Sequence, residues 1–281
     1  MLRAATTVAV GVTAWHAVGP GALAASGTGR TTPAPLVAGG SLTPLSGLNL
    51  PGARVVVSDA GNSILYDAEP ALAAALLASG QAELRPHTIG GFGISEAPDV
   101  WQNVFTRDVV DGDDARLVLV MLGNRDFPAV KHDPRRYQRL LEESVHRLTA
   151  RGAGVIWLGL PPLPAWQDDP GARVALNTML AGLPNRFPGK VRYVPTEPAL
   201  AGASGGYARS LPGPDGRPVA VRKRRGTRGD EHLCPAGAVR LTQLVQRELA
   251  RVGLRSASAS SWSTGAWTAD ARYDDPKGGC L

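Results

Sequence analysis

The chain has 281 residues, of which 43% are hydrophobic and 19% charged. That is enough to bury a sizeable core, and it excludes global disorder. Its 34 glycines and 23 prolines make up about a fifth of it, which fits an ordinary domain with long loops or unstructured ends. The 30 basic and 24 acidic residues leave a formal charge of +6, compatible with nucleic acid, an anionic surface or an acidic polymer as partner. Two cysteines, Cys234 and Cys280, exclude a disulfide-dense miniprotein and a four-cysteine zinc site.

Residues 1–25 begin with Arg3, continue as an uncharged Ala/Val-rich stretch and end on Ala22-Leu23-Ala24. This is the pattern of a cleaved export signal. A retained membrane anchor is the alternative, because the stretch approaches spanning length, although Gly19-Pro20-Gly21 breaks it. Residues 26–50, rich in Gly, Ser, Thr and Pro, read as a linker. From 54 onward apolar β-branched runs alternate with helical periodicity. Residues 54–58 make a short buried strand, 67–77 a helix ending at Gly80, and 83–89 a second strand. Residues 117–122, apolar throughout, are the expected central strand.

Asp133-Pro134 then supplies a cap and first-turn proline, with Tyr137, Leu140, Leu141, Ser144, Val145 and Leu148 on one face and Gly152 as the stop. A strand at 155–158, a helix at 171–183 and a strand at 191–194 follow. Pro235 opens a last helix with Ala238, Leu241, Leu244, Val245 and Val252 on one face. The alternation predicts an α/β fold: a three-layer α/β/α sandwich on a mostly parallel, about five-stranded flavodoxin-like sheet. The expected organisation is a signal at 1–25, a linker at 26–50, a domain at 51–254 and an extension at 255–281. The extension is Ser/Gly-rich but carries Trp262, Trp267 and Tyr273, which predicts that it packs on the domain.

Ligands bind at the carboxyl ends of the strands of such a sheet, so the residues that follow each strand are the candidate site residues. After the first comes Gly61-Asn62-Ser63. A serine in a strand-to-helix turn suits a nucleophile beside an oxyanion donor, or simply a helix cap. After the second comes Gly90-Gly91-Phe92-Gly93, either an anion-binding backbone or a tight turn. After the central strand comes Gly123-Asn124-Arg125-Asp126, where the Asn124 amide suits an oxyanion donor or an Asx-type loop cap. Before the last helix stands Gly229-Asp230-Glu231-His232, a histidine beside carboxylates that suits a general base.

The order of these four fragments resembles the SGNH (GDSL-type) hydrolase family over roughly residues 54–252. The resemblance implies Ser63 as nucleophile, His232 as base and Asp230 as its orienter, with Gly91, Asn124 and the Ser63 N–H around the oxyanion. His232 running into Leu-Cys-Pro-Ala-Gly-Ala is the closest match. Three positions depart from the family pattern. Asn62 replaces an aspartate, Arg125 takes the slot expected for the third-block asparagine, and Gly229 stands three residues before His232 where an aspartate is expected. Asp230 lies only two residues before the histidine, which leaves a backbone carbonyl open as an alternative orienter.

Trp267 to Tyr273, followed by Cys280, is similar to the C-terminal extension of exported actinobacterial SGNH proteins. With that resemblance comes a Cys234–Cys280 disulfide pinning the tail near the site, a closure that loop entropy credits with roughly 3–5 kcal/mol. Two free thiols are the alternative.

Arg222, Lys223, Arg224, Arg225 and Arg228 precede His232 and account for nearly all of the net charge. They read as a solvated loop or as a clamp for an anionic substrate, with Arg125, Arg225 and Arg228 as candidate substrate contacts. The expected activity is that of an exported serine esterase, or an O-acyltransferase or deacetylase, working through an acyl-serine on an ester or an acylated cell-envelope glycan. No cofactor or metal is expected, and no nucleic acid partner, since no recognition motif is present. The expected state is a monomer associated at most with an anionic envelope polymer. The rival expectations are a degenerate fold member that binds an anionic glycan without turnover, and a surface-anchored structural protein if the N-terminus is retained.

Overall fold

The computed structural model describes residue 45 and residues 55–281. The signal and linker readings of residues 1–50 therefore lie outside the described residues, apart from Leu45. Five parallel strands form the main sheet: β1 (Val55–Gly61), β2 (Ala82–Pro86), β3 (Leu117–Met121), β4 (Gly154–Leu158) and β5 (Val191–Val194). They lie in the order β2-β1-β3-β4-β5. Every residue of β3 and β4 is buried, as their unbroken apolar runs require of strands covered on both faces. Register is set by pairs such as Val57 with Leu117, Val118 with Val155 and Val155 with Val191.

Helix α1 (Ser63–Ser79) links β1 to β2. The chain then crosses back over β1 to β3 by way of α2 (Pro98–Asn103) and a π-helical segment, Val104–Gly112. Helices α3 (Phe127–His132) and α4 (Pro134–Leu148) lead to β4, and α5 (Pro170–Arg186) leads to β5. Right-handed crossovers running in opposite directions from β1 and β3 place α1 on one face of the sheet and α4 and α5 on the other. A short helix, α6 (Glu197–Leu200), follows β5, and the last helix, α7 (Pro235–Arg251), packs on α1. Because the order reverses between β1 and β3, a crevice opens at their carboxyl ends.

Local signals explain most of these boundaries. The Asp133 carboxylate accepts from the Arg136 N–H at 2.9 Å and starts α4, which buries Tyr137, Leu141, Ser144, Val145 and Leu148. Helix α1 begins at Ser63, four residues before the position expected from its Ala/Leu pattern. The reason is a cap: the Asn62 side chain accepts from the Ile64 and Leu65 N–H groups at 3.0 and 3.4 Å. Pro70 lies within the helix, so its position does not mark a boundary.

Residues 222–228, expected as a loop, instead belong to a β-hairpin. Two antiparallel pairs precede α7: β6 (Ser210–Pro212) with β7 (Pro218–Ala220), and β8 (Arg222–Arg225) with β9 (Arg228–Leu233). Residues of the extension pack against α1 and α7. Trp262 and Tyr273 are buried among Ala71 and Ala75 of α1 and Ala238 of α7, and the Cys234–Cys280 disulfide is present, with Cα atoms 5.5 Å apart. No helix among the described residues is long and apolar enough to cross a membrane.

Candidate active site

Both Ser63 and Asn124 sit at the crevice where the strand order reverses. Ser63 is the first residue of α1 and half-buried. Its N–H belongs to the first helical turn, whose amides have no helical carbonyl to meet. The Asn62 cap satisfies those of Ile64 and Leu65 and leaves the Ser63 amide facing the crevice end of the helix. Asn124 follows β3 by the short turn Leu122-Gly123.

His232 lies near the end of β9. Its Nδ1 is 2.7 Å from Asp230 Oδ1, so the histidine is held by a carboxylate rather than by a backbone carbonyl. Asp230 also accepts from Arg225 Nε at 3.2 Å through its other oxygen. Burial alone would raise the Asp230 pKa, but the hydrogen bond and charge of His232, with Arg225, hold it well below the usual carboxylate range. Burial works against the His232 imidazolium. The Asp230 hydrogen bond and the charges of Asp67, Asp230 and Glu231 outweigh it and raise the His232 pKa.

The three departures each have a physical counterpart. A Cβ at Gly229 would come within 2.5 Å of the Tyr207 hydroxyl oxygen, so an aspartate has no room there. Tyr207 uses that space to donate to the Asp230 carbonyl at 2.9 Å, and Trp166 Nε1 donates to the Gly229 carbonyl at 2.8 Å. Asn62 does what an aspartate cannot: its Nδ2 donates to Asn124 Oδ1 at 3.0 Å. Asn124 in turn donates from Nδ2 to Glu231 Oε2 at 3.0 Å. A relay of two amides ending on a carboxylate thus fixes which face of Asn124 carries its N–H groups, and one of the two N–H bonds remains for a ligand. Arg125 is exposed, whereas Asp126 beside it is buried and accepts from Ile94 N, Ser95 N and the Tyr137 hydroxyl at 3.0, 2.8 and 2.9 Å. Asp126 thereby ties the glycine loop after β2 to the turn after β3.

Gly91 is exposed with φ +91°, a conformation that favours glycine. Ser63 Oγ and His232 Nε2 are not hydrogen-bonded to each other, and neither atom has a partner among the described residues. What brings their elements together is Asp67, one turn after Ser63 on α1, whose carboxylate accepts from the Leu233 N–H at 2.8 Å. Asn124 and Arg125 line an open cavity of about 750 Å3 with Phe127, Lys131 and His132, and neither Ser63 nor His232 borders it.

The arginine-rich segment divides. Arg222 and Lys223 are 0% and 2% exposed and serve the interior, Arg222 donating to the Glu231 carbonyl and Lys223 pairing with Asp67 at 3.1 Å. They cannot belong to a substrate clamp, because both are buried and engaged with interior partners, side by side where the β8–β9 register is irregular between Arg222 and Arg224. Arg224, Arg225 and Arg228 remain exposed. The sequence reading missed Glu231, Asp67 and Tyr207. Asp67 carried a signal, its four-residue spacing from Ser63, whereas Glu231 and Tyr207 are defined only by contacts across the fold.

The sheet order and the placement of these residues at its reversal point define an SGNH-type fold. Solved structures agree. A GDSL-like lipase from Bacteroides thetaiotaomicron VPI-5482 matches with a TM-score of 0.52 at 15% identity, over 70% of this chain and 88% of that one. A protein from Bacteroides fragilis NCTC 9343 assigned as an acylhydrolase matches with a TM-score of 0.50 at 19% identity, over 72% and 91%. The model of the family described as "Protein of unknown function (DUF459)" matches residues 56–248, and the chain belongs to that SGNH-related family. No curated protein matches the sequence.

Proposed function

We propose that the protein is a serine esterase or acyltransferase acting through an acyl-Ser63 intermediate. The carrying observation is the Asp230–His232 hydrogen bond of 2.7 Å on a strand anchored to the helix that Ser63 begins. In this mechanism His232 Nε2 takes the Ser63 hydroxyl proton as Oγ attacks the ester carbonyl. The Nδ1–H bond to Asp230 keeps the tautomer with Nε2 free and stabilises the imidazolium that forms. The oxyanion is met by the Ser63 N–H, the Gly91 N–H and the free N–H of Asn124. Collapse expels the alcohol, which takes the proton from His232. Water or an acceptor hydroxyl, deprotonated by His232, then releases the acyl group.

The lipase and acylhydrolase named for similar folds support ester chemistry as the class. Exposed Arg125, Arg225 and Arg228 favour a substrate with anionic groups, and an acylated envelope glycan fits that description. Export is part of the proposal. It rests on the N-terminal pattern of residues 1–25 and is supported by the disulfide, which persists in oxidising compartments. A second reading, ligand binding without turnover, is favoured by one observation, the engagement of Asn124 Nδ2 with Glu231. Incubation with a fluorophosphonate and with p-nitrophenyl acetate separates the two. The enzyme reading expects a covalent adduct on Ser63 and ester turnover, both absent in S63A. A folded wild-type protein that gives neither refutes it.

A further inference from the structure

We propose that Asp67 is a positioning residue for His232, and that the C-terminal extension serves the site by holding Asp67 and β9 in place. The inference rests on the reading of Ser63 and His232 as nucleophile and base, and it assigns a role to a buried carboxylate that the mechanism itself does not use.

Asp67 is 1% exposed and stands one helical turn from Ser63, on the same side of α1. One of its carboxylate oxygens accepts from the Leu233 N–H at 2.8 Å, the residue directly after His232. The other faces Lys223 Nζ at 3.1 Å, on the neighbouring strand β8. A single side chain therefore connects the nucleophile helix to both strands of the hairpin that carries the base. A carboxylate suits this place because it accepts on both sides and balances the buried ammonium.

The extension closes around the same residue. Tyr273 donates its hydroxyl to the Asp67 carbonyl at 2.8 Å. Lys223 Nζ donates also to the Arg272 carbonyl at 2.6 Å, so the ammonium paired with Asp67 is gripped by the tail. The Arg272 guanidinium lies 3.9 Å from the centroid of the Tyr66 ring and pairs with Glu69 at 2.9 Å, both on α1. Arg224 N donates to the Gly279 carbonyl at 2.9 Å, and the disulfide fastens Cys280 to Cys234, two residues after His232. The tail thus bonds to both sides of the joint that sets the distance from Ser63 to His232. A displacement of about 1 Å between reacting groups can cost on the order of 100-fold in rate, so a joint of this kind has a catalytic consequence as well as a stabilising one.

The charged groups facing His232 are Asp230 and Glu231 from β9 and Asp67 from α1, and all three favour its imidazolium. Arg225 pairs with Asp230, while Lys223 and Arg222 offset Asp67. Removing the Asp67 charge therefore lowers the His232 pKa, a change that loss of packing alone does not specify.

The test uses the full-length protein and two variants, D67N and C280S. For each we would measure p-nitrophenyl acetate hydrolysis, the rate of fluorophosphonate labelling at Ser63, the His232 ring titration by NMR and the melting temperature. D67N is expected to lower kcat roughly 10- to 100-fold, with KM little changed and the His232 titration moved to lower pH. C280S leaves Asp67 and Lys223 chemically intact and is expected to slow labelling at temperatures well below its melting point. If D67N does not fold, C280S decides. Wild-type kcat, labelling and His232 titration in either folded variant would overturn the part of the proposal it tests, even if that variant melts earlier. Absence of Ser63 labelling in the wild type would instead refute the hydrolase reading, and the His232 titration of D67N would still decide this one.

Discussion

Substituting Asp230 with asparagine removes one negative charge from a side chain whose two oxygens are both engaged. Oδ1 lies 2.7 Å from His232 Nδ1 and Oδ2 lies 3.2 Å from Arg225 Nε. Asparagine can keep its oxygen toward His232 only by turning its NH2 toward the Arg225 donor, or it can turn the NH2 to His232 and favour the wrong tautomer. In the first orientation a charge-assisted hydrogen bond becomes a neutral one, a loss of about 1–2 kcal/mol, or roughly 5- to 30-fold in rate. In the second, Nε2 carries the proton and cannot act as base, and losses on the order of 10⁴-fold are known for such a change in serine proteases. The expected fall in kcat/KM for D230N therefore lies between about 5- and 10⁴-fold, with KM little altered because Asp230 is buried.

The pH profile carries a second signature. The base must be neutral to act, so wild-type kcat/KM rises with pH through the raised His232 pKa, above the ordinary value of about 6.5. D230N moves that limb to lower pH. Stability moves too: the depressed Asp230 pKa contributes stability that is present above about pH 4 and lost as pH falls through the folded-state pKa, so D230N flattens acid unfolding. Ester turnover from pH 5 to 9, with melting curves across the same range and down to acid pH, checks both. A folded D230N that retains wild-type kcat/KM and the same acid limb would refute Asp230 as the orienter of His232.

Asn62 and Asp59 offer two further tests. N62D keeps the acceptor that caps α1 and loses the donor to Asn124, so kcat should fall by roughly 10-fold while the melting temperature stays near that of the wild type. A kinetic comparison alongside calorimetry checks this. Asp59 is buried on β1, accepts from the His87 N–H at 3.0 Å through Oδ1, and leaves Oδ2 without a partner among the described residues. Burial, followed by the charge of Glu69, raises its pKa well above the usual range. A carboxyl raised in this way contributes stability below its unfolded pKa that is lost as pH rises through the folded value. D59N should therefore be more stable than wild type at pH 8, by a margin that shrinks at pH 5, as read from denaturant titrations at the two pH values.

The strands were the most legible part of the sequence. The central strand and β5 were read nearly to the residue, because buried parallel strands are written as continuous apolar runs. Helices α4 and α7 were legible through Asp133-Pro134 and Pro235, local start signals that act without tertiary help. The start of α1 was misplaced because the Asn62 cap precedes the apolar periodicity. The hairpin of β8 and β9 was hidden by its charge. A run of arginine and lysine reads as solvent-exposed until a buried carboxylate, here Asp67, is available to receive one of them.

The sequence by itself determined the order of strand-end fragments, and with it the expectation of an SGNH-type fold with Ser63, Asn124 and His232 as candidates. The α/β alternation follows from local chemistry, since hydrophobic periodicity and capping are written in neighbouring residues, whereas the SGNH expectation and its candidates are what the resemblance of those fragments implies. The pairing of Cys234 with Cys280 was an expectation of resemblance that the structure also contains. Only the tertiary structure decided how the departures are accommodated. The clash at Gly229 depends on Tyr207, the use of Asn62 depends on Asn124 and Glu231, and the engagement of His232 with Asp230 depends on how β9 turns. The formal charge of +6 divides in the same way. Composition counts its arginines and lysines, but burial against partners distant in sequence separates the two that support the hairpin from those left exposed.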